Sequence, residues 1–533
     1  VTRDGDGSGK RPRGGASGRN GSGGDGSGRG GPGGGGSPRN GAGRGGARHD
    51  AAERARPERR GPSRGGGGAT AARRVAYDVL HAVDTDEAYA NLLLPHRIAE
   101  ARLSAADAGL ATELCFGTLR GRGTYDAIIA LAADRSIDLI DAPVRDVLRL
   151  GAHQLLATRV APHAAVNETV ELAREVASRG AAGFVNAVMR TVSRTSLDDW
   201  RARFAERLDG DALVEATTSH PAWIVRALRD ALTAEGRQDE LDALVAADNA
   251  SPRVGLVALP GFADAASLLD AHPDLLEEGT ASPLGLRLLR GDPSAVAEVA
   301  DGTVRVQDEG SQLVALALAA STPIVPGERW LDLCAGPGGK AALLAALARR
   351  DGTELVANEV QPARARLVRR ALEPLRLGVP VSELDGREIG ELEPARYDRV
   401  LVDAPCTGLG ALRRRPESRW RKSPVDVGAL VEIQEALLDA ALDATRPGGV
   451  VAYVTCSPHL AETTGVVRRA LRRDDVEALD AEAVVRAVAR PGLELAHRPL
   501  TPADGSGHGT SVQLWPHRNG TDAMFLALLR RTP

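Results

Sequence analysis

Residues 328–350 read ERWLDLCAGPGGKAALLAALARR. An apolar run ends at the carboxylate of Asp332, a glycine-bearing turn follows, and apolar residues then recur at helical spacing. The downstream sequence repeats this unit. TELVANEV (353–360) is a strand, PARARLVRRALEPL (362–375) a helix, and PVSEL (380–384) and YDRVLVDAP (397–405) are strands. VGALVEIQEALLDAALDAT (427–445) is a long helix, GGVVAYVTCSP (448–458) a strand, and a further helix begins near Ala461. Buried strands alternating with helices predict a doubly wound parallel sheet. SVQLWPH (511–517) and AMFLALLRR (523–531) predict a closing antiparallel edge hairpin.

Upstream the pattern changes. From Thr70 to about 195, apolar residues recur every three or four positions in ATAARRVAYDVLHAV, ADAGLATELCFGTLRGRGTYDAIIALAA, PVRDVLRLGAHQLLATRV, AAVNETVELAREV and AAGFVNAVMRTV. This predicts an all-α bundle of six or so helices, with Thr70 and Ser104 as N-caps. Residues 196–310 mix helical stretches (HPAWIVRALRDAL, QDELDALVAAD) with short strands (PRVGLVAL, LGLRLL, GTVRVQD) and predict a small α+β connecting domain. Residues 311–533 form the α/β Rossmann-like domain. Residues 1–69 are Gly, Arg, Ser and Pro in runs such as GGPGGGG, too poor in apolar groups to offset ordering entropy, and are expected to be disordered.

Composition narrows the function classes. Net charge is −4 in 533 residues, so any attraction to nucleic acid must come from local patches. The four cysteines, at 115, 334, 406 and 456, match neither a disulfide framework nor a zinc pattern, so no metal is expected. Free thiols imply a reducing cytoplasm. No uncharged apolar run is long enough to span a bilayer, and the N-terminus lacks the apolar centre of a secretory signal.

The loop Asp332–Lys340 has three readings. A Walker A loop fails, because Lys340 precedes Ala341 and no glycine stands six residues before Gly339. A dinucleotide fold stays open, since Gly336-x-Gly338-x-x-Ala341 fits the relaxed glycine pattern and Glu359 ends the second strand. S-adenosylmethionine enzymes use the same geometry, with an acid after strand two for the ribose and the glycine loop for the methionine carboxylate. Lys340 suits that carboxylate as a compact charge, in a chain whose only other lysines are Lys10 and Lys422. Asp385 is placed to accept from an adenine amino group, or is simply a solvated strand-end carboxylate.

Asp403, Cys406 and Cys456 all fall at the carboxyl ends of predicted strands, where open α/β sheets bind ligands. Two thiols beside a methyl-donor loop suggest covalent chemistry. Cytosine C5 is a poor nucleophile until a thiolate adds to C6, so a C5-methyltransferase needs a nucleophilic cysteine, an acid for the N3/N4 edge and an unstacked base.

DLCAGPGGK, VLVDAPCTGLG, RRRPESRW and YVTCSP together resemble the bacterial Sun/Fmu (RsmB-like) 16S ribosomal RNA cytosine-C5 methyltransferases. The resemblance covers about 70–531, and ARRVAYDVL…ELCFGTLRGR…FVNAVMR resembles a NusB-like helical domain. It implies a NusB-like bundle joined to an S-adenosylmethionine-dependent methyltransferase domain and cytosine 967 of 16S rRNA as the target; the chain is expected to act as a monomer. By resemblance, Cys456 attacks C6, Cys406 assists breakdown of the adduct, and Asp403 contacts the cytosine and the methyl-donor site. S-adenosylmethionine would lie on Cys334, Ala335, Gly336, Pro337, Gly338, Gly339, Lys340, Glu359, Arg364, Asp385 and Asp403. DNA cytosine methyltransferases attack with the cysteine of the PC motif, which leaves Cys406 as the alternative nucleophile. Glu359 stands where the family commonly has Asp.

RRRPESRWRK (413–422) brings Arg413, Arg414, Arg415, Arg419 and Lys422 around Trp420. This suits phosphate contacts with base stacking, or else a basic turn with Trp420 packed inward. Arg73 and Arg74, with Arg120 and Arg122 in a glycine turn, form either a phosphate-binding edge or ordinary surface. Two rival classes remain: a non-catalytic RNA-binding factor, which the helical domain alone would allow, and a nicotinamide-dependent oxidoreductase, which would leave both thiols idle.

Overall fold

The computed structural model describes residues 69–500 and 509–533. The expected disordered tail, residues 1–69, lies outside them but for Ala69. The helical region comprises α1 (Ala71–Thr85), α2 (Ala90–Glu100), α3 (Ala105–Arg120), α4 (Arg122–Ala133), α5 (Ala142–Ala157), α6 (Pro162–Val176) and α7 (Arg179–Val192). Ser104 caps α3 by accepting the N–H of Asp107 at 3.2 Å, whereas the Thr70 side chain caps nothing. The periodic stretch 106–133 is two helices, because the chain turns at Gly121. The unforeseen helix is α2, which carries Pro95 in its interior.

The segment 196–310 divides its packing three ways. Helices α8 (Leu197–Arg207) and α9 (Gly210–Thr218) join the bundle, where Trp200, Phe204 and Ala216 share one apolar core with Val79 and Leu148. Helices α10 (Ala222–Thr233) and α11 (Leu241–Asn249) pack instead through Ile224, Leu228 and Leu244 on Leu409, Leu412 and Trp515. Strands β1 (Gly255–Ala258), β2 (Leu276–Glu278), β3 (Gly285–Leu288) and β4 (Val304–Val306) make a separate antiparallel sheet in the order β2-β3-β1-β4.

The large sheet is built from β5 (Arg329–Asp332), β6 (Glu354–Asn358), β7 (Val381–Ser382), β8 (Tyr397–Asp403), β9 (Thr445–Thr455), β10 (Val476–Ala478), β11 (Arg498–Pro499), β12 (Thr510–Gln513) and β13 (Phe525–Arg531). Its order is β11-β12-β13-β9-β8-β5-β6-β7, with β10 also pairing with β13. The strands from β7 to β9 are parallel, and β13 runs antiparallel to β9. The expected closing hairpin is β12–β13, but β11 lies outside it and forms the edge.

Successive side chains on a strand point to opposite faces. Here Trp330, Leu401 and Ala452 face one core with Leu313, Leu343 and Leu347. Their neighbours Leu331, Val400, Val402, Val451 and Tyr453 face the other with Leu437, Leu438 and Val466. Both faces are covered, which is why these strands read as continuous apolar runs. The chain leaves β5 through β6 and β7 on one side and returns to β8 on the other. That reversal opens a crevice at the carboxyl ends of β5 and β8, where ligands of such sheets bind. Among the described residues, no helix is long and apolar enough to cross a membrane.

Candidate active site

The loop after β5 is held at several points. Asn358, at the end of β6, donates from Nδ2 to the carbonyls of Leu333 (3.1 Å) and Leu384 (3.0 Å), tying together three strand-end loops. Gly338 has φ +107° and begins the helix Gly339–Asp351; a Cβ there would approach the Ala371 Cβ to 2.6 Å. Only glycine fits. Glu359 is 3 % exposed and accepts the Gly336 N–H at 3.1 Å, and Arg364 donates to the Gly336 carbonyl at 2.6 Å. Glu359 and Arg364 therefore grip the loop itself. Asp385 is half-buried and engaged by Arg387, whose hydrogen bonds hold its carboxyl below the usual range. Asp332 is fully buried, and neither of its oxygens has a partner. Burial, reinforced by the nearby Asp403 charge, pushes its carboxyl up to about 8.

Lys340 reaches across the crevice, its Nζ 2.9 Å from Oδ2 of Asp403 at the end of β8. Beyond Asp403 the two cysteines meet. The Sγ atoms of Cys406 and Cys456 are 3.4 Å apart, and both residues are half-buried. Gly410 closes the loop between them: its N–H bonds the Cys456 carbonyl at 2.8 Å, and its own carbonyl accepts from Ala523 at 2.8 Å. A Cβ at 410 would lie 2.0 Å from the Ala523 oxygen, so the close approach requires glycine. Their contact acts on the two thiols in opposite directions. Hydrogen bonding from Cys406, with Lys340 and Arg415 nearby, draws the Cys456 thiol below its ordinary value against the opposing effect of burial. The same hydrogen bond and burial push Cys406 well up. The two directions make Cys456 the more readily ionised thiol of the pair. Cys115 and Cys334 are raised by burial, as inert thiols are.

Residues 320–530 match the family described as 16S rRNA methyltransferase RsmB/F, and residues 70–194 match the NusB family. A Mycobacterium tuberculosis protein named as a methyltransferase is 50 % identical over 462 residues, covering 86 % of this chain and 96 % of its own. The ribosomal RNA small subunit methyltransferase B of Pseudomonas syringae pv. tomato is 32 % identical over 474 residues, covering 86 % of this chain and 96 % of its own. The chain belongs to the RsmB/F methyltransferase family. The solved structure of PH0851 is similar in fold, with a TM-score of 0.68 at 18 % identity, covering 86 % of this chain and 98 % of that one.

In this RsmB/F-family chain the arginine stretch after Cys406 corrects the expectation of an RNA-facing patch. Arg413 is 6 % exposed; it and Arg414 bond Asp522 at 2.9 Å and also reach Asp308. Arg419 is fully buried. Its guanidinium donates to the carbonyls of Arg120 (3.0 Å), Ser219 (3.1 Å) and Asp248 (2.8 Å) and to Asn249 Oδ1 (2.7 Å). Those carbonyls end α3, α9 and α11, where unpaired C=O groups and the helix dipoles favour a cation. Trp420 lies under the Arg122 guanidinium, 5.5 Å from the ring centroid, and against Gly123. It packs at the junction with the bundle, half-buried, with the Arg122 guanidinium over its ring. Arg73 is buried against Gln154 and Thr70, Arg120 is buried, and Arg74 is exposed but paired with Asp78 and Glu175. Of the stretch, Arg415 is exposed and Lys422 half-buried. The main side chain the sequence reading missed is Glu462. It is the one acid in the stretch LAETTG just after the Cys456 strand, and its placement there was the only signal.

Proposed function

We propose that the chain is an S-adenosylmethionine-dependent RNA (cytosine-C5) methyltransferase acting on 16S ribosomal RNA, at cytosine 967, through a covalent cysteine adduct. The observation that carries this is the Cys406–Cys456 pair, 3.4 Å apart beside Lys340–Asp403 at the sheet's reversal point. The resident groups suit the cofactor. The unpartnered, buried Asp332 carboxyl, whose ionised form an ammonium would favour, is matched to an ammonium, while Lys340 and the amino end of the helix at Gly339 are matched to a carboxylate. An amino-acid end presents both. Asp385, after β7, would meet the nucleoside end, with Glu359, Arg364 and the backbone of 334–339 shaping the loop. When bound, S-adenosylmethionine supplies an electrophilic methyl carbon.

The protein's own residues do the rest. The lowered thiol of Cys456 adds to C6 of an unstacked cytosine, forming an S–C6 bond and making C5 nucleophilic. Asp403, held by Lys340, accepts from the N4 amino edge of the base. Cys406 keeps its proton and donates a hydrogen bond to the departing Cys456 sulfur, while the C5 proton passes to water. The S–C6 bond breaks, and its electron pair returns to Cys456. The direction of the two thiol shifts favours Cys456 over Cys406 as the attacker.

The test is incubation of the full chain with methyl-labelled S-adenosylmethionine and 16S rRNA, followed by bisulfite mapping. Label on one protected cytosine is expected. Label on a base nitrogen, a ribose or no RNA at all overturns the reading.

A further inference from the structure

Behind the two thiols lies a carboxylate that the mechanism above does not use. Glu462 is fully buried. Its Oε2 accepts the Thr407 hydroxyl at 2.5 Å and the Ser457 hydroxyl at 2.6 Å. Its Oε1 accepts the Thr407 N–H at 2.8 Å and Gln434 Nε2 at 3.2 Å. Gln434 also donates to the carbonyl of Pro405 at 2.8 Å. Thr407 directly follows Cys406, and Ser457 directly follows Cys456. One side chain therefore bolts the residue after each cysteine.

Four donors converge on two oxygens, which is the pattern of an acceptor-only, ionised carboxylate. Among the described residues no salt bridge neutralises it. A buried charge without a counter-charge is costly, and a neutral amide of the same shape could occupy the same space. We propose that Glu462 is a positioning residue of the thiol pair, locking the two cysteine loops together and setting a negative charge behind Cys406, so that Cys456 is the sulfur left to react. The inference rests on the functional reading only for the purpose of the pair. The direction at Cys406 agrees, since the Glu462 charge adds to the Cys456 hydrogen bond and burial in raising that thiol. The other titratable groups around the pair are Asp403, Lys340 and Arg415, Tyr453, whose hydroxyl donates to the Glu462 carbonyl, and His459.

Iodoacetamide alkylation of the full chain, read cysteine by cysteine by mass spectrometry across pH, tests this without RNA or methyl donor. In the wild type, alkylation near neutral pH should fall mainly on Cys456. Glu462→Gln should raise the Cys406 share about fivefold or more and move its profile to lower pH, equivalent to somewhat under one pK unit. Glu462→Asp, which keeps the charge, should restore the preference for Cys456. An unchanged sulfur preference and pH profile in Glu462→Gln overturns the proposal. A second measurement leaves Glu462 in place. In Cys456→Ser, Cys406 should stay unreactive at neutral pH, and reaction at the rate of an ordinary exposed thiol would equally overturn it. Absence of RNA methylation by the wild type would sink the functional reading while leaving these alkylation results standing.

Discussion

Two regions only a few residues apart use ion pairs of the same length for opposite ends. Lys340 and Asp403 meet at 2.9 Å with 13 % and 25 % of their side chains exposed, at the mouth of the crevice. Arg413 and Asp522 also meet at 2.9 Å, but with 8 % and 10 % exposed, and Arg414 and Asp308 complete the cluster. The first pair is open to exchange of one partner, because water reaches it. The second is not, because breaking it strands a charge in the interior. Bond length says nothing about role here; access decides it.

The sharpest way to break the comparison is at the sulfurs. Cys456→Ala should abolish methyl transfer and covalent capture of 5-fluorocytosine RNA, a loss of at least about a thousandfold, whereas Cys406→Ala should accumulate covalent RNA. Exchange of the two outcomes, seen on denaturing gels, would reverse the assignment. In the buried cluster the loss should be of stability. Asp522→Ala leaves Arg413 and Arg414 with Asp308 as the one carboxylate of the cluster and should cost about 3 kcal/mol in chemical denaturation.

Lys340→Ala should leave the fold intact and shift the reactivity of Cys456. Lys340 is one of the cations that lower that thiol, and its removal also frees Asp403, whose charge opposes ionisation. A less acidic Cys456 needs more alkaline solution to become thiolate, so the rising limb of its alkylation profile should move up by about one pH unit. The smallest effect belongs to the surface. Arg415→Ala should weaken RNA binding uniformly across sequences and reduce the salt slope by about one. A loss of fold instead would place Arg415 with its buried neighbours.

The thiol site was legible because its chemistry restricts the residue types. Few reactions call for two cysteines at neighbouring strand ends, and the strand periodicity placed Asp403, Cys406 and Cys456 on one edge before any coordinates. The arginines were not legible in that way. A guanidinium serves a phosphate or a ring of helix-end carbonyls equally well, and the carbonyls around Arg419 come from residues 120, 219 and 248, which no local pattern connects to it. The segment 196–310 resisted for a similar reason. Its helices are ordinary amphipathic helices, and whether α8 or α10 packs on the bundle or on the sheet depends on partners far away in the chain. Glu462 shows the limit from the other side, since a lone acid in a short stretch reveals its partners only when Thr407 and Ser457 are brought to it.

The Arg419 guanidinium has a consequence for anyone wishing to cut or recombine this chain. It belongs by sequence to the loop that follows Cys406, yet its carbonyl partners are the tips of three helices lying N-terminal to the large sheet. A fragment beginning at residue 311 would keep the cation and discard the cradle. A chimera that exchanged residues 70–194 would carry over a foreign α3 tip for it to meet. The two parts fit as a matched set, and their boundary is an anchor where a linker would be expected.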